Sequence, residues 1–154
     1  MELHWGVIER HFSFPLDPKW LWGRLERVSL GGAAVLTLWP EDLLLILCIH
    51  GSKHLWERLS GICDVAELIR GGREMDWERI TEQAAALGGE RMFFLGHYLA
   101  SDLLGAALPE EVLQKAKADL MAKILAREVH ERLFWEVKDH LRSLKNFPLA
   151  PPAS

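Results

Sequence analysis

The chain has 154 residues, of which 49% are hydrophobic and 26% charged, and its formal net charge is −4. This length and composition are typical of one globular domain with its own core, so we expect a single domain over residues 1–145 and a flexible tail over residues 146–154. The negative charge gives no general attraction to nucleic acid. The longest apolar run is far shorter than the roughly 18 residues that suggest a membrane span, and no signal peptide is visible. We therefore expect a cytoplasmic protein.

The first forty residues predict short strands. A strand is expected over residues 3–8, and Asp17-Pro18 is typical of a helix start, here for a short helix that reaches Leu25. The glycine pair Gly31-Gly32 separates two β-prone runs, which predicts a hairpin over residues 27–38.

From Pro40 onward the pattern is helical, with starts marked by Pro, Asp or Glu and stops marked by Gly. We expect about five helices, the first ending near Trp56 or Arg58 before a break at Ser60-Gly61. The others are expected over residues 62–71, 77–87, 90–104 and 110–147. The predicted fold class is therefore α+β, predominantly helical, with short N-terminal strands and a long last helix.

The last helix carries an apolar residue at every fourth position, at Met121, Leu125, Val129, Leu133, Val137 and Leu141. Steps of four drift around a helix of period 3.6, so the stripe must wrap or the helix must bend. A helix of this length outreaches a small domain. We therefore expect a kink, or a partner that covers its far end.

Two histidines lie four residues apart in His50-Gly51-Ser52-Lys53-His54-Leu55-Trp56, directly after a run of pure hydrocarbon. On a helix this spacing places both imidazoles on one face, as in a metal site, for which Glu57 or Asp64 could be the third ligand. The zinc-protease pattern needs glutamate after the first histidine, where this chain has Gly51. Structural hydrogen bonds and contact with a substrate or nucleotide are the alternatives to metal.

Neighbouring residues extend this group. Lys53 either reaches solvent along its stem or, if it faces the same cleft as His50, contacts phosphate. We expect Asp64 to cap a helix or to bind a histidine of the preceding helix. Cys48 and Cys63 match no familiar zinc spacing and are expected to be reduced, buried thiols.

The combined segments resemble a known family. They are Glu2-Leu3-His4-Trp5, Leu38 to Leu45, His50 to Trp56, Asp64-Val65-Ala66 and Asp76-Trp77, and together they look like the uncharacterised nucleotidyltransferase family of the polymerase-β-like superfamily. Order and spacing match to about Pro109. The resemblance makes His50, Lys53, His54 and Asp64 candidates for nucleotide or substrate binding.

The family's metal site is incomplete in this sequence. Members carry an Asp-x-Asp pair ahead of the matching region, and two-metal transfer needs such carboxylates. No Asp-x-Asp occurs between Met1 and Ser154. Glu2 matches the position of the third metal carboxylate, where the family has aspartate. The chain thus resembles the C-terminal portion of such an enzyme, truncated before its catalytic acids.

The resemblance implies a protein that is not catalytic alone. It would bind a nucleotide, with Mg²⁺ if the missing half is supplied, or depend on a partner. The alternatives are a non-catalytic interaction module and a metal-binding helical domain that uses His50 and His54. For partners we expect a homodimer or a separate chain that contacts the N-terminal strand or the last helix.

Overall fold

The computed structural model describes residues 18–71 and 74–145, with the side chains of residues 18, 20 and 136–145 excepted. The expected strand over residues 3–8, the cap Asp17 and the tail over residues 146–154 lie outside the described residues. In chain order the elements are α1 Pro18–Trp22, β1 Leu25–Leu30, β2 Ala33–Leu38, α2 Pro40–Lys53, α3 Leu59–Arg70, α4 Trp77–Ala86, α5 Glu90–Leu104, α6 Glu110–Ala118 and α7 Leu120–Lys145.

The hairpin prediction is confirmed. Strands β1 and β2 pair antiparallel with Val28 opposite Val35, and the connecting Gly31 and Gly32 have φ of +59° and +85°. Positive φ at both central residues is the geometry that matches the twist of a tight hairpin, and glycine adopts it without a steric cost. Helix α1 is shorter than expected, because Leu25 already belongs to β1.

The helical part is organised around α5, which packs against α2, α3, α4, α6 and α7. Its buried face carries Phe93, Phe94, Leu95, Leu99 and Ala100, and it ends at Gly105 in the left-handed conformation, with φ of +65°. The predicted bounds of α4 and α5 are confirmed, including the cap of α4, where the Asp76 side chain accepts the Arg79 N–H at 3.0 Å. Within the described residues, no helix is both long and apolar enough to cross a membrane.

The long last helix is interrupted, so six helices follow the hairpin in the described part of the chain. Asp119 is extended (φ −74°, ψ 100°) and ends α6, while its Oδ1 accepts the Ala122 N–H at 3.0 Å at the start of α7. That hydrogen bond lowers the pKa of the Asp119 carboxyl, and an ion pair with Arg91 at 3.2 Å lowers it further. The expected bend is thus a capped break between two helices.

The apolar stripe of α7 is only partly the packing face. Val129 is buried, but Met121 and Leu125 are exposed, and Ala122 and Ala126 are buried in their place. The small side chains of Ala122 and Ala126 allow α7 to approach α5 closely. The contact is therefore made by these alanines and not by the neighbouring Met121 and Leu125. The four-residue stripe therefore does not mark the packing face at the N-terminal end of α7.

Candidate functional site

The candidate residues of α2 lie at its C-terminal end. His50, Lys53 and His54 share one helix face, since they are three and four residues apart. His50 and His54 are exposed and Lys53 is half-buried, and the two imidazole centroids are 4.5 Å apart with the planes tilted by 52°. The prediction that His50 and His54 share a face is confirmed by this proximity of their rings. Neither histidine is packed inside the core.

A sharp backbone reversal follows these residues. Helix α2 ends at Lys53, three residues before Trp56, and both Leu55 and Trp56 have φ of +53°. The N–H groups of Leu55 and Trp56 donate to the carbonyls of Ser52 and Gly51 at 3.0 and 2.8 Å. Left-handed backbone at two bulky residues is strained and persists only where packing holds it. We call residues 50–58 the Trp56 turn.

The Trp56 side chain supplies that packing. It is 2% exposed, and its indole lies directly over Gly51: a Cβ there would stand 2.4 Å from two ring carbons. On α5, a Cβ at Gly96 would lie 2.6 Å from the Cys48 Sγ and 3.1 Å from the Trp56 ring. The two glycines make room for the indole between α2 and α5. Glycine at position 51 is therefore explained by packing, and a protease-type glutamate cannot occupy this position.

Helix α3 begins earlier than expected and changes the position of Asp64. Its first residue is Leu59, so Ser60 and Gly61 lie in its first turn, and the chain breaks at the Trp56 turn. Asp64 is exposed in the second turn and is not the cap, a position taken by Arg58. Within residues 18–71 and 74–145 the Asp64 carboxylate has no hydrogen-bond partner, so the histidine contact expected for it is not found there.

The metal alternative lacks a third ligand in the described part of the chain. No group of three His, Cys, Asp or Glu side chains there could hold a metal ion. Glu57 is exposed, while Cys48 is fully buried on the opposite side of α2 from His50. The same finding applies to magnesium, whose carboxylate ligands these residues do not assemble. Glu2, the candidate third carboxylate, lies outside the described residues.

Sequence reasoning missed a buried polar pair at the other end of α2. The Asp42 side chain is fully buried and accepts a hydrogen bond from Arg24 Nε at 2.7 Å. Beside it, the Glu41 Oε1 accepts the Asp76 N–H at 3.4 Å. From the sequence, Glu41 and Asp42 were expected in the first turn of α2, where they interact favourably with the helix dipole. No local signal predicts that Arg24, eighteen residues before Asp42, reaches its carboxylate. This pair connects the hairpin to the helices.

A second missed group is the buried His97 of α5. Its Nδ1 donates to the Phe93 carbonyl at 2.6 Å and lies 3.9 Å from the Cys48 Sγ, and the Phe93 ring centroid is 4.0 Å away. Burial lowers the pKa of His97 to about 4, and burial raises the pKa of the Cys48 thiol. The Nδ1 that lies near the Cys48 thiol carries its proton toward the Phe93 carbonyl, and both side chains are fully buried. This pair therefore cannot act as nucleophile and base.

A groove of about 490 Å³ adjoins the Trp56 turn. It is lined by Ser52, Leu55 and Trp56 together with Gly88, Arg91, Met92, Leu95, Leu125, Glu128, Val129 and Arg132. Arg132 donates a hydrogen bond to the Leu55 carbonyl, which fixes the turn against α7. The groove is mainly apolar and has the size of small-molecule sites. Nitrogen-bearing side chains at the end of α2 and an apolar groove thus occur in one stretch of chain.

The model of a family described as "Uncharacterised nucleotidyltransferase" matches residues 1–105, more than half of the chain. Neither the curated proteins nor the solved structures contain a match. The matched region includes the hairpin, the Trp56 turn and α5, and it ends before α6 and α7.

Proposed function

The chain belongs to the uncharacterised nucleotidyltransferase family, and from this premise we propose that it is the substrate-side part of a nucleotidyl-transfer machinery. In this proposal the chain binds a nucleotide but does not catalyse the transfer alone. The carboxylates that would hold magnesium come from polypeptide outside these 154 residues, because the chain contains no Asp-x-Asp and its described residues form no metal-binding group.

The observation that carries the proposal is the placement of His50, Lys53 and His54. These are nitrogen-bearing side chains, one permanently charged, on one face at the end of α2. Such groups suit phosphate oxygens, which accept charge-assisted hydrogen bonds. The neighbouring residues Ser52 and Leu55 border the apolar groove, where a base can be buried. Phosphates at the helix end and a base in the groove fit one nucleotide.

Calorimetry on the full chain tests nucleotide binding. ATP, CTP, GTP and UTP, each with magnesium, are titrated at millimolar concentration into the wild type and the variants Lys53→Ala and His54→Ala. Loss of one charge-assisted hydrogen bond costs about 2 kcal/mol, so each variant should bind more than about tenfold more weakly. The control Lys117→Ala removes an exposed charge of α6 and should bind like the wild type.

Two outcomes contradict the proposal. If no nucleotide produces heat, the chain is not a nucleotide-binding part. If nucleotides bind and neither variant weakens binding, the site lies elsewhere. A pyrophosphate-release assay tests the second half of the proposal: the chain with ATP and magnesium should release none, and sustained release would identify it as an enzyme in its own right.

An interaction module is the second candidate, favoured by the exposed apolar residues of α7. Leu120 is 68% exposed, Trp135 63% and Met121 45%, and such residues are uncommon on a face that stays in water. The proposed occupant is a second copy of the chain. Sedimentation should then give a dimer that Trp135→Glu dissociates and that Trp22→Glu, on α1, leaves intact. A monomer at all concentrations would exclude this candidate.

A further inference from the structure

A second cavity, of about 510 Å³, lies between α5 and α7, and no residue of the Trp56 turn is among its described lining residues. We call it the α5–α7 cavity. Its walls are Tyr98 and Asp102 of α5 and six residues of α7, namely Leu120, Lys123, Ile124, Ala126, Arg127 and His130. All of α7 lies beyond residues 1–105, the region that the nucleotidyltransferase family covers, so the family gives the α7 wall of this cavity no role.

The α7 wall concentrates nitrogen-bearing side chains. Lys123, Arg127 and His130 follow one another at steps of four and three residues, so they share one helix face over two turns. The His130 ring rests on the Phe134 ring, with centroids 4.9 Å apart. In a chain with a net charge of −4, this face carries two permanent positive charges. Among the described residues, Asp102 is the one acid that lines the cavity.

These charges are not neutralised within the described part of the chain. Lys123 and Arg127 form no ion pair there, although Arg127 has Glu131 four residues ahead of it. Two like charges at positions i and i+4 destabilise a helix by roughly 0.2–0.5 kcal/mol. The arrangement therefore has a cost in the free protein, which a bound anion would remove.

The apolar groove near Trp56 provides the comparison. Its two arginines are already engaged, Arg91 with the Asp119 carboxylate at 3.2 Å and Arg132 with the Leu55 carbonyl. Both guanidinium groups therefore make contacts within the protein. Lys123 and Arg127 of the α5–α7 cavity form no such contacts within the described residues. Their charged groups are therefore available to a ligand.

We propose that the α5–α7 cavity binds the phosphate group of a small phosphorylated molecule. Lys123 and Arg127 contact the phosphate oxygens, and His130 donates a further hydrogen bond. Tyr98, half-buried on the opposite wall, faces the body of the ligand, and the Asp102 carboxylate accepts from a hydroxyl or amine of that body. The volume is sufficient for a molecule of this class. The site is separate from the His50–His54 face and does not depend on nucleotide binding there.

Nuclear magnetic resonance on the isotope-labelled full chain tests the phosphate part directly, with inorganic phosphate as the probe and sodium chloride of equal ionic strength as the reference. Backbone signals of Tyr98, Asp102, Lys123 and Arg127 should shift and saturate in the millimolar range. Lys123→Ala and Arg127→Ala should each weaken binding about tenfold, and Lys117→Ala, on α6, should not. Asp102→Asn should strengthen binding of inorganic phosphate, because it removes the one negative charge from the wall.

The results distinguish the alternatives. Shifts that do not saturate, or that chloride reproduces, overturn the proposal, as does tighter binding by wild type than by Asp102→Asn. Each variant is checked by circular dichroism, and the exposed positions of Lys123 and Arg127 make misfolding a poor explanation for lost binding. If ATP binding is lost in Lys123→Ala but kept in Lys53→Ala, the α5–α7 cavity is supported and the function proposed for the His50–His54 face is refuted.

Discussion

Replacing Gly51 by alanine should destabilise the protein, although alanine is the better helix former. The new Cβ would stand 2.4 Å from two carbons of the Trp56 ring, whereas carbon atoms pack at about 3.5–4.0 Å. The indole must therefore retreat by more than about 1 Å. It cannot do so toward α5, since even a Cβ at Gly96 would already lie 3.1 Å from the ring. Trp56 has to leave its site in part.

The expected loss follows from two opposing effects. Overpacking a dense core costs typically 1–3 kcal/mol, and this contact is at the severe end. Alanine in place of glycine recovers about 1 kcal/mol of helix propensity. We therefore expect Gly51→Ala to lower the free energy of unfolding by about 2 kcal/mol, as measured by urea titration followed by circular dichroism.

Gly61 is the matched control, because it also faces Trp56. A Cβ there would lie 3.9 Å from the nearest ring carbon, an ordinary contact. Gly61→Ala should leave the free energy of unfolding unchanged or raise it by up to about 1 kcal/mol. In addition, Trp56→Leu should cost less in the Gly51→Ala background than in the wild type. Equal stability of Gly51→Ala and wild type would refute the packing role assigned to Gly51.

Three further predictions concern buried groups. His97, with a pKa of about 4 when folded against 6.5 when unfolded, binds more protons in the unfolded chain between these values. The free energy of unfolding should therefore fall by up to about 3 kcal/mol as the pH is lowered from 6.5 to 4. Arg24→Ala leaves the buried Asp42 carboxylate without its partner and should cost about 3 kcal/mol in urea unfolding. Ellman's reagent should modify Cys63 in the native protein, because it is partly exposed, but Cys48 only in denaturant, because it is buried.

Each of these predictions has an outcome that contradicts it. His97→Leu should lose part of the pH dependence between 6.5 and 4, and an unchanged dependence would assign it to other groups. Arg27→Ala, at an exposed position of β1, should change stability by less than about 0.5 kcal/mol, and an equal effect of both arginine variants would remove the special role of Arg24. Two thiols that react at the same rate in native protein would contradict the burial of Cys48.

The sequence predicted those features whose cause is local. Gly31 and Gly32 determine the hairpin through their backbone freedom. Asp76 fixes the start of α4 through its side chain, and Gly105 fixes the end of α5 through its left-handed backbone. The shared face of His50 and His54 follows from helical spacing alone. The break at Asp119 has a local signal too, a capping aspartate, but without glycine or proline it resembled the interior of one long helix.

Features that depend on distant contacts were missed. The end of α2 at Lys53 is set by the packing of Trp56 against Gly96, forty residues further along the chain, and the left-handed backbone at Leu55 has no local cause. Burial of His97 and Asp42 likewise depends on which elements surround them. Histidine and aspartate are polar residue types that are usually expected at the surface, whereas the fold buries His97 and Asp42.

The Trp56 turn also has a consequence for the entropy of binding. The backbone of His54 is held by the N–H hydrogen bond to the His50 carbonyl at 3.1 Å, and the next two residues are fixed by an indole inside the core. The backbone of these residues therefore loses its conformational entropy during folding and not during ligand binding. A ligand bound at His50, Lys53 and His54, as proposed above, would meet a preorganised backbone and would have only side chains to order, which lowers the free-energy cost of association. Even a small phosphate-bearing molecule can then be held by few contacts.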